Sequence, residues 1–158
     1  MYHFFAQHEN IHQEYIDIVG SGVNHLKNVL RLTVGDNILI SSGDNVDYTC
    51  CISQIDNDYV RADIIQTDCV GRELPVKVYL FQGLPKSDKM ELIIQKMTEL
   101  GAYEIVPVSM KRCVVKLDNK KSKSKVERWN TISQSAAKQS KRSIIPVVTD
   151  VTTFKDAV

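Results

Sequence analysis

Lys86 to Asp118, KSDKMELIIQKMTELGAYEIVPVSMKRCVVKLD, places a helix, a strand and a basic loop in a definite order. Asp88 and Glu91 stand three apart, the spacing of a capping box at a helix start. Met90, Ile93, Met97 and Leu100 then recur at steps of three and four, which is helical period. Gly101 falls where a helix takes a left-handed residue just past its end. The apolar run Ile105–Val108 follows, then the basic pair Lys111–Arg112, then a second apolar run, Cys113–Leu117. Upstream, the apolar stretch Val76–Gln82 enters through Gly83 and Pro85. Strand, helix, strand, basic loop is the opening of a parallel α/β domain.

Beyond Asp118 the chain is lysine-rich. Lys111 to Arg128 holds eight Lys/Arg and two acids, a local balance of +6. Lys120–Lys125 reads as a mobile loop, and Ser124 with Glu127 as a second capping box. The helix so opened carries Trp129, Ile132, Ser133, Ala136 and Ser140 on a narrow face, with small residues for close approach to a sheet. It closes in Lys138–Arg142, cations at the favourable dipole end. Ile144–Val148 is the next strand, and Pro146 marks it as an edge or a strand end.

Before this domain the pattern is different. Residues 1–70 show short strand candidates (Tyr2–Phe5, Tyr15–Val19, Asn37–Ser41, Val46–Ile52, Tyr59–Ile65) between Gly/Asn/Asp turns, the pattern of a compact barrel or half-barrel. A brief helix from Ser21 puts Val23, Leu26, Val29 and Leu30 on one face. The polar stretch Thr67–Leu74 precedes Pro75 and is the natural boundary between units 1–70 and 71–158.

Charge separates the units as well. The chain is nearly neutral at +1, but residues 1–70 hold three Lys/Arg against ten Asp/Glu, a net of −7. Residues 71–158 hold seventeen against nine, a net of +8, which points to a polyanionic partner for the second unit. Cys50, Cys51, Cys69 and Cys113 have no C-x-x-C spacing and read as reduced thiols of a cytosolic protein. The first residues have no signal-peptide pattern, and no apolar run approaches the ~20 residues that cross a bilayer. His3, His8, His12 and His25 are too scattered for a metal site, and no Walker, G-x-G-x-x-G, G-x-S-x-G or H-E-x-x-H motif occurs.

The basic segment is the better functional lead. Arg112, between two apolar runs, is held in place and can neutralise phosphate or fork to a base. Arg142 either caps a helix or contacts RNA; Arg31, in Leu30-Arg31-Leu32, is either a salt-bridge partner or an RNA contact.

Several long motifs occur in order. His25-Leu-Lys-Asn-Val-Leu-Arg-Leu32 is followed by Gly35-Asp36; the second unit has Lys86-Ser-Asp-Lys-Met-Glu91, Gln95-Lys96, Glu99-Leu-Gly101 and Ile105-Val-Pro107. Arg112-Cys-Val-Val-Lys-Leu-Asp118, Arg128-Trp129, Ala136-Ala-Lys-Gln139, Arg142 and Ile145-Pro146 complete the set. With these the chain resembles, over essentially its whole length, the RsmE family, which methylates N3 of a uridine in small-subunit (16S) ribosomal RNA. The resemblance implies a PUA-like RNA-binding β-barrel at 1–70 and the first half of a SPOUT α/β methyltransferase domain at 71–158. It also implies S-adenosylmethionine as cofactor, a C-terminal trefoil knot that binds it, a homodimer, a cytoplasmic location and small-subunit rRNA as partner. The RNA-contact candidates are Lys27, Arg31, Lys86, Arg112 and Arg142, with Lys96 and Gln139 next; no catalytic base is assigned.

The family continues for on the order of 80–90 further residues, with a G-P-E-G-G loop and an I-L-R-x-E-T-A segment absent here. The cofactor pocket and knot are therefore expected to be missing, and the chain inactive alone, whether fragment or natural truncation. The alternatives are a non-catalytic RNA-binding module and a protein-interaction fragment.

Overall fold

The computed structural model describes residues 1–69, 72–86, 88–113, 115 and 117–157, with only the backbone of Asn119. Two compact units emerge, Met1–Arg72 and Glu73–Val158.

The first unit is built on alternation. Strands β1 (Tyr2–Phe5), β2 (Tyr15–Val19), β3 (Asn37–Ser41), β4 (Asp47–Ile55) and β5 (Tyr59–Asp68) form one sheet in the order β1-β3-β4-β5-β2. The β1–β3 pair is parallel and the rest are antiparallel. Every second residue faces one core: Ile16 and Ile18, Ile38 and Ile40, Cys50 and Ile52, Val60 and Ala62. Register shifts at Thr49/Cys50 and Ile52/Gln54 bend β4 and curl the sheet into a half-barrel.

The helical segment differs from its expected face. Helix α1 (Ser21–Asn24) runs into a π-type turn, His25–Val29, closed by the Leu30 N–H to the His25 carbonyl at 2.9 Å. The wider turn keeps Val23 and Leu26 buried but rotates Val29 out to 64% exposure.

The second unit is a parallel sheet. Strand β6 (Tyr79–Gly83) pairs with β7 (Glu104–Ser109); β7 pairs in turn with β8 (Val147–Val148) and, further along, with β9 (Thr152–Thr153). Helix α2 (Lys89–Glu99) connects β6 to β7, α3 (Asn119–Ser140) connects β7 to β8, and a short α4 (Phe154–Ala157) follows β9. Strand order follows chain order, so right-handed crossovers put α2 and α3 on one face. There Met90, Ile94 and Trp129 pack with Leu80, Ile105 and Val148.

Four local expectations change. The α2 stripe runs Met90–Ile94–Thr98, and Leu100 is 71% exposed. Thr98 replaces it because its hydroxyl finds Ser133 Oγ at 3.4 Å, so a polar residue occupies a core position. Asp88 precedes α2 but makes no side-chain cap bond, and Glu91 is drawn to Arg128 instead of closing a capping box. The α3 helix begins at Asn119, because Asp118 accepts the Lys121 N–H at 2.8 Å. Lys120–Lys125 is therefore helix, not loop, and Ser124 and Glu127 lie inside it. Finally, Cys113, Val115 and Leu117 are not in a strand, though they pack on the core; Val114 and Lys116 of that run lie outside the described residues.

Trp129, Ser133, Ala136 and Ala137 form the buried face of α3, while Ser140 is exposed and bonds its own helix. The Ser133 hydroxyl donates to the Pro146 carbonyl at 2.6 Å, which fixes the approach to β8.

Candidate nucleic-acid interface

In the second unit the loops after β6 and β7 and the start of α3 gather at the carboxyl edge of the sheet. Open α/β folds bind ligands at that edge. The Leu84 N–H still bonds the Val108 carbonyl at 3.1 Å, which holds the chain as far as Pro85 and brings Lys86 to the edge. Lys111 and Arg112 form the turn after β7, closed by the Cys113 N–H to the Met110 carbonyl at 3.0 Å. Lys86, Lys111 and Arg112 are exposed and make no ion pair with a described residue.

Helix α3 adds Lys120, Lys121, Lys123 and Lys125 within its first two turns, with no acid in the first turn. Cations at a helix N-terminus oppose the helix dipole, so this end attracts anions twice over. The only local relief among the described residues is Lys121 with Asp118 at 3.5 Å. The Lys121 backbone N–H bond holds the Asp118 carboxyl below the usual carboxylate range, so the cap is ionised at neutral pH.

A cavity of about 190 Å³ opens among these groups. Leu84, Pro85, Met90, Val115, Leu117 and Trp129 supply its apolar walls, and Asp88, Glu91 and Lys125 its polar ones. Glu91 is committed: Arg128 forks onto it, Nε to Oε1 at 2.8 Å and Nη2 to Oε2 at 2.9 Å. Sequence reading missed this cavity because its walls come from four segments that only the fold joins.

The other candidates are dispersed. Lys96, on α2, pairs with Glu99 at 2.8 Å. Gln139 is exposed on α3 and shares a shallow groove of about 170 Å³ with Gln95, Thr131 and Ser135. In the first unit Lys27 donates to the Asp56 carbonyl at 2.8 Å, bracing the β4–β5 turn. Arg31 is exposed and adopts a left-handed φ of 55°, uncommon for a residue with a side chain.

Arg142 belongs to the fold rather than to a surface. It is buried, forks onto Glu73, and donates to the carbonyls of Thr98 at 3.2 Å and Ala102 at 2.5 Å. Its nitrogens are spent inside the unit, which corrects its placement among RNA contacts. The Gln139–Arg142 spacing gives no hint of this, since Glu73 lies at the far end of the unit.

Two polar clusters in the first unit are structural. Ser41 Oγ sits between His3 Nε2 at 2.7 Å and Asp47 at 2.5 Å, all three buried. The hydroxyl donates to the carboxylate, not to the imidazole, so this is not an activated nucleophile. Arg61 forks onto Asp17 at 2.9 Å and stacks over Tyr15 at 4.0 Å. Burial pushes the Cys50 thiol up to about 12, so that thiol is inert. No three-residue metal cluster occurs among the described residues.

Comparison with known proteins decides what this edge belongs to. The family model described as an RNA methyltransferase domain matches residues 72–158, and an RNA methyltransferase PUA domain matches residues 20–65. The chain belongs to the RsmE family of RNA methyltransferases. It is 46% identical to Ribosomal RNA small subunit methyltransferase E of Bacillus subtilis (strain 168) over 87% of this chain and 54% of that protein. To the protein of the same name from Synechocystis it is 31% identical, over 97% of this chain and 48% of the other. A crystal structure of the Neisseria gonorrhoeae RsmE bound to S-adenosyl methionine matches at TM-score 0.86 and 31% identity, over 99% of this chain and 64% of that one. The chain thus spans about half the length of the curated relatives it matches. As an RsmE-family chain it combines a PUA-like half-barrel with an α/β unit of the SPOUT methyltransferase class.

Proposed function

We propose that this chain supplies the PUA-like unit and the first half of the methyltransferase unit of an enzyme that methylates N3 of a uridine in 16S rRNA, using S-adenosylmethionine. The observation that carries the reading is the convergence of Lys86, Lys111, Arg112 and the α3 lysines on one sheet edge, in a chain of an rRNA methyltransferase family. These cations neutralise rRNA phosphates, while Lys27 and Arg31 of the half-barrel, with Lys96 and Gln139 on the outer helices, add weaker contacts. Uridine N3 carries a proton and lies on the pairing edge, so the base must leave its stack, lose that proton and be aligned. No described residue has the geometry to be named as the base.

The cavity at the strand ends is about 190 Å³, below the ~300–1,000 Å³ that encloses drug-sized ligands. The Neisseria gonorrhoeae relative, of which this chain covers 64%, is a complex with that cofactor, and we assign most of the cofactor site to the part of such chains that this one does not cover. The working enzyme is proposed to be a cytoplasmic homodimer acting on the small ribosomal subunit. The test is methyl transfer from radiolabelled S-adenosylmethionine to 16S rRNA by the protein extended to its relatives' length. Label should appear as 3-methyluridine; label on another nucleotide, or none, contradicts the proposal.

A further inference from the structure

We infer that Arg72 and Glu73 clamp the junction between the two units, keeping their tether at its shortest so that both units engage one RNA as a bivalent ligand. This deepens the proposed function and rests on its claim that cations of both units contact rRNA.

The boundary between the units falls between two consecutive residues of opposite charge, Arg72 and Glu73. Each is paired back into its own unit. Arg72 Nε lies 3.6 Å from Asp47 Oδ2, and the Asp47 side chain is 2% exposed. The same carboxylate accepts the Ser41 hydroxyl, and Asp47 stands opposite Asp68 in the register of β4 and β5. Strand pairing thus holds the first unit as far as Asp68, and Arg72 reaches back to that same strand end. A carboxylate so buried favours a cation beside it, because a buried charge left alone is costly.

Glu73 is held as firmly on the other side. Arg142 forks onto it, and it accepts the Ile144 N–H at 3.0 Å. Leu74 then lies over Gly101, and the Val78 carbonyl accepts the Tyr103 N–H at 2.8 Å. The chain is bound into the second unit from its first residue.

A short tether matters because the first unit is a poor RNA ligand by itself. Residues 1–70 carry a net charge of −7. Lys27 is engaged with the Asp56 carbonyl and Arg61 with Asp17. Asp68 and Glu73 stand five residues apart, at most about 17 Å of extended chain. Once the second unit is on RNA, that reach keeps the first unit at high effective concentration, and weak contacts then add to affinity.

Gly/Ser inserts between Arg72 and Glu73 lengthen the tether while leaving both ion pairs in place. Filter binding to a 16S rRNA transcript reads affinity, and thermal melting reads the fold. Effective concentration falls roughly as the −3/2 power of tether length, so inserts of about six and about eighteen residues should weaken binding about threefold and about tenfold. The melting temperature should not change. Affinity independent of insert length, with rRNA still bound, overturns the bivalent tether and leaves the sheet-edge contacts standing. An equal loss for both inserts with a lowered melting temperature also overturns it, because the junction then serves stability. No binding by the chain without an insert overturns the claim of RNA contact and this inference with it.

Discussion

Arg142 and Glu73 form a buried ion pair that ties the turn after α3 to the first residue of the second unit. Both side chains are about nine-tenths buried, at 8% and 10% exposure. The same guanidinium caps the end of α2 through the Thr98 and Ala102 carbonyls. Removing one partner strands a charge and several acceptors. Arg142→Ala should therefore destabilise the second unit by about 3–5 kcal/mol, measured by urea unfolding. Replacing both partners together, as Arg142→Met with Glu73→Gln, should recover part of that loss. A variant that keeps its stability and loses RNA affinity instead would restore Arg142 to the RNA surface.

Arg112 makes the opposite prediction. It is exposed and makes no ion pair with a described residue, so Arg112→Ala should leave the melting temperature nearly unchanged while weakening rRNA binding. Removing one phosphate-binding cation, Arg112 or Lys86, should make the slope of log affinity against log salt shallower by about 0.7 on single-stranded RNA. Filter binding across a salt series measures it, and an unchanged slope removes that residue from the interface.

The Asp118 cap gives a pH dependence with a definite sign. Its folded-state pKa is lowered, chiefly by the Lys121 backbone N–H, so its contribution is present above the ordinary carboxylate pKa and is lost as pH falls through the lowered one. Amide exchange in the first turn of α3 should rise selectively in acid, beyond the intrinsic pH trend. Asp118→Ala should show that fraying already at neutral pH, and equal protection in both proteins would mean that Asp118 does not hold the helix start.

Gly101 combines two constraints. Its φ is +97°, and a Cβ there would lie 2.7 Å from Leu74 Cδ1. Gly101→Ala should destabilise the second unit by about 1–3 kcal/mol, read from the urea midpoint. Leu74→Ala in the same background should return only the steric part, since the strain of a positive φ remains.

Cys50 and Cys69 should differ in reactivity. Burial raises the Cys50 thiol to about 12, whereas Cys69 is exposed. Iodoacetamide near pH 8 should label Cys69 and spare Cys50. A folded pKa above the unfolded one also means that the stability Cys50 contributes is complete below about 9 and is lost as pH rises toward 12.

Much of the fold was legible from residue order. Alternation in Ile16–Ile18, Ile38–Ile40 and Val60–Ala62 reports one buried sheet face, and Gly101 marks the end of α2 because few other residues adopt its φ. The errors share a cause. Asp88–Glu91 and Ser124–Glu127 have capping-box spacing, but Glu91 gains more from Arg128, 37 residues away, and Asp118 caps α3 before Ser124 is reached. Lysines look like loop when counted by charge, yet they are good helix formers once a cap is in place. Arg142 reads as a surface cation until Glu73, 69 residues earlier, is brought beside it. The cavity at Trp129 has no linear signature at all. Partners distant in sequence are invisible to local pattern.

The central claim, that this chain serves uridine-N3 methylation of 16S rRNA, is tested most directly by nucleoside mass spectrometry of 16S rRNA from cells with and without its coding sequence. The predicted result is loss of 3-methyluridine on removal and its return on complementation. An unchanged 3-methyluridine level in cells lacking the chain would contradict it.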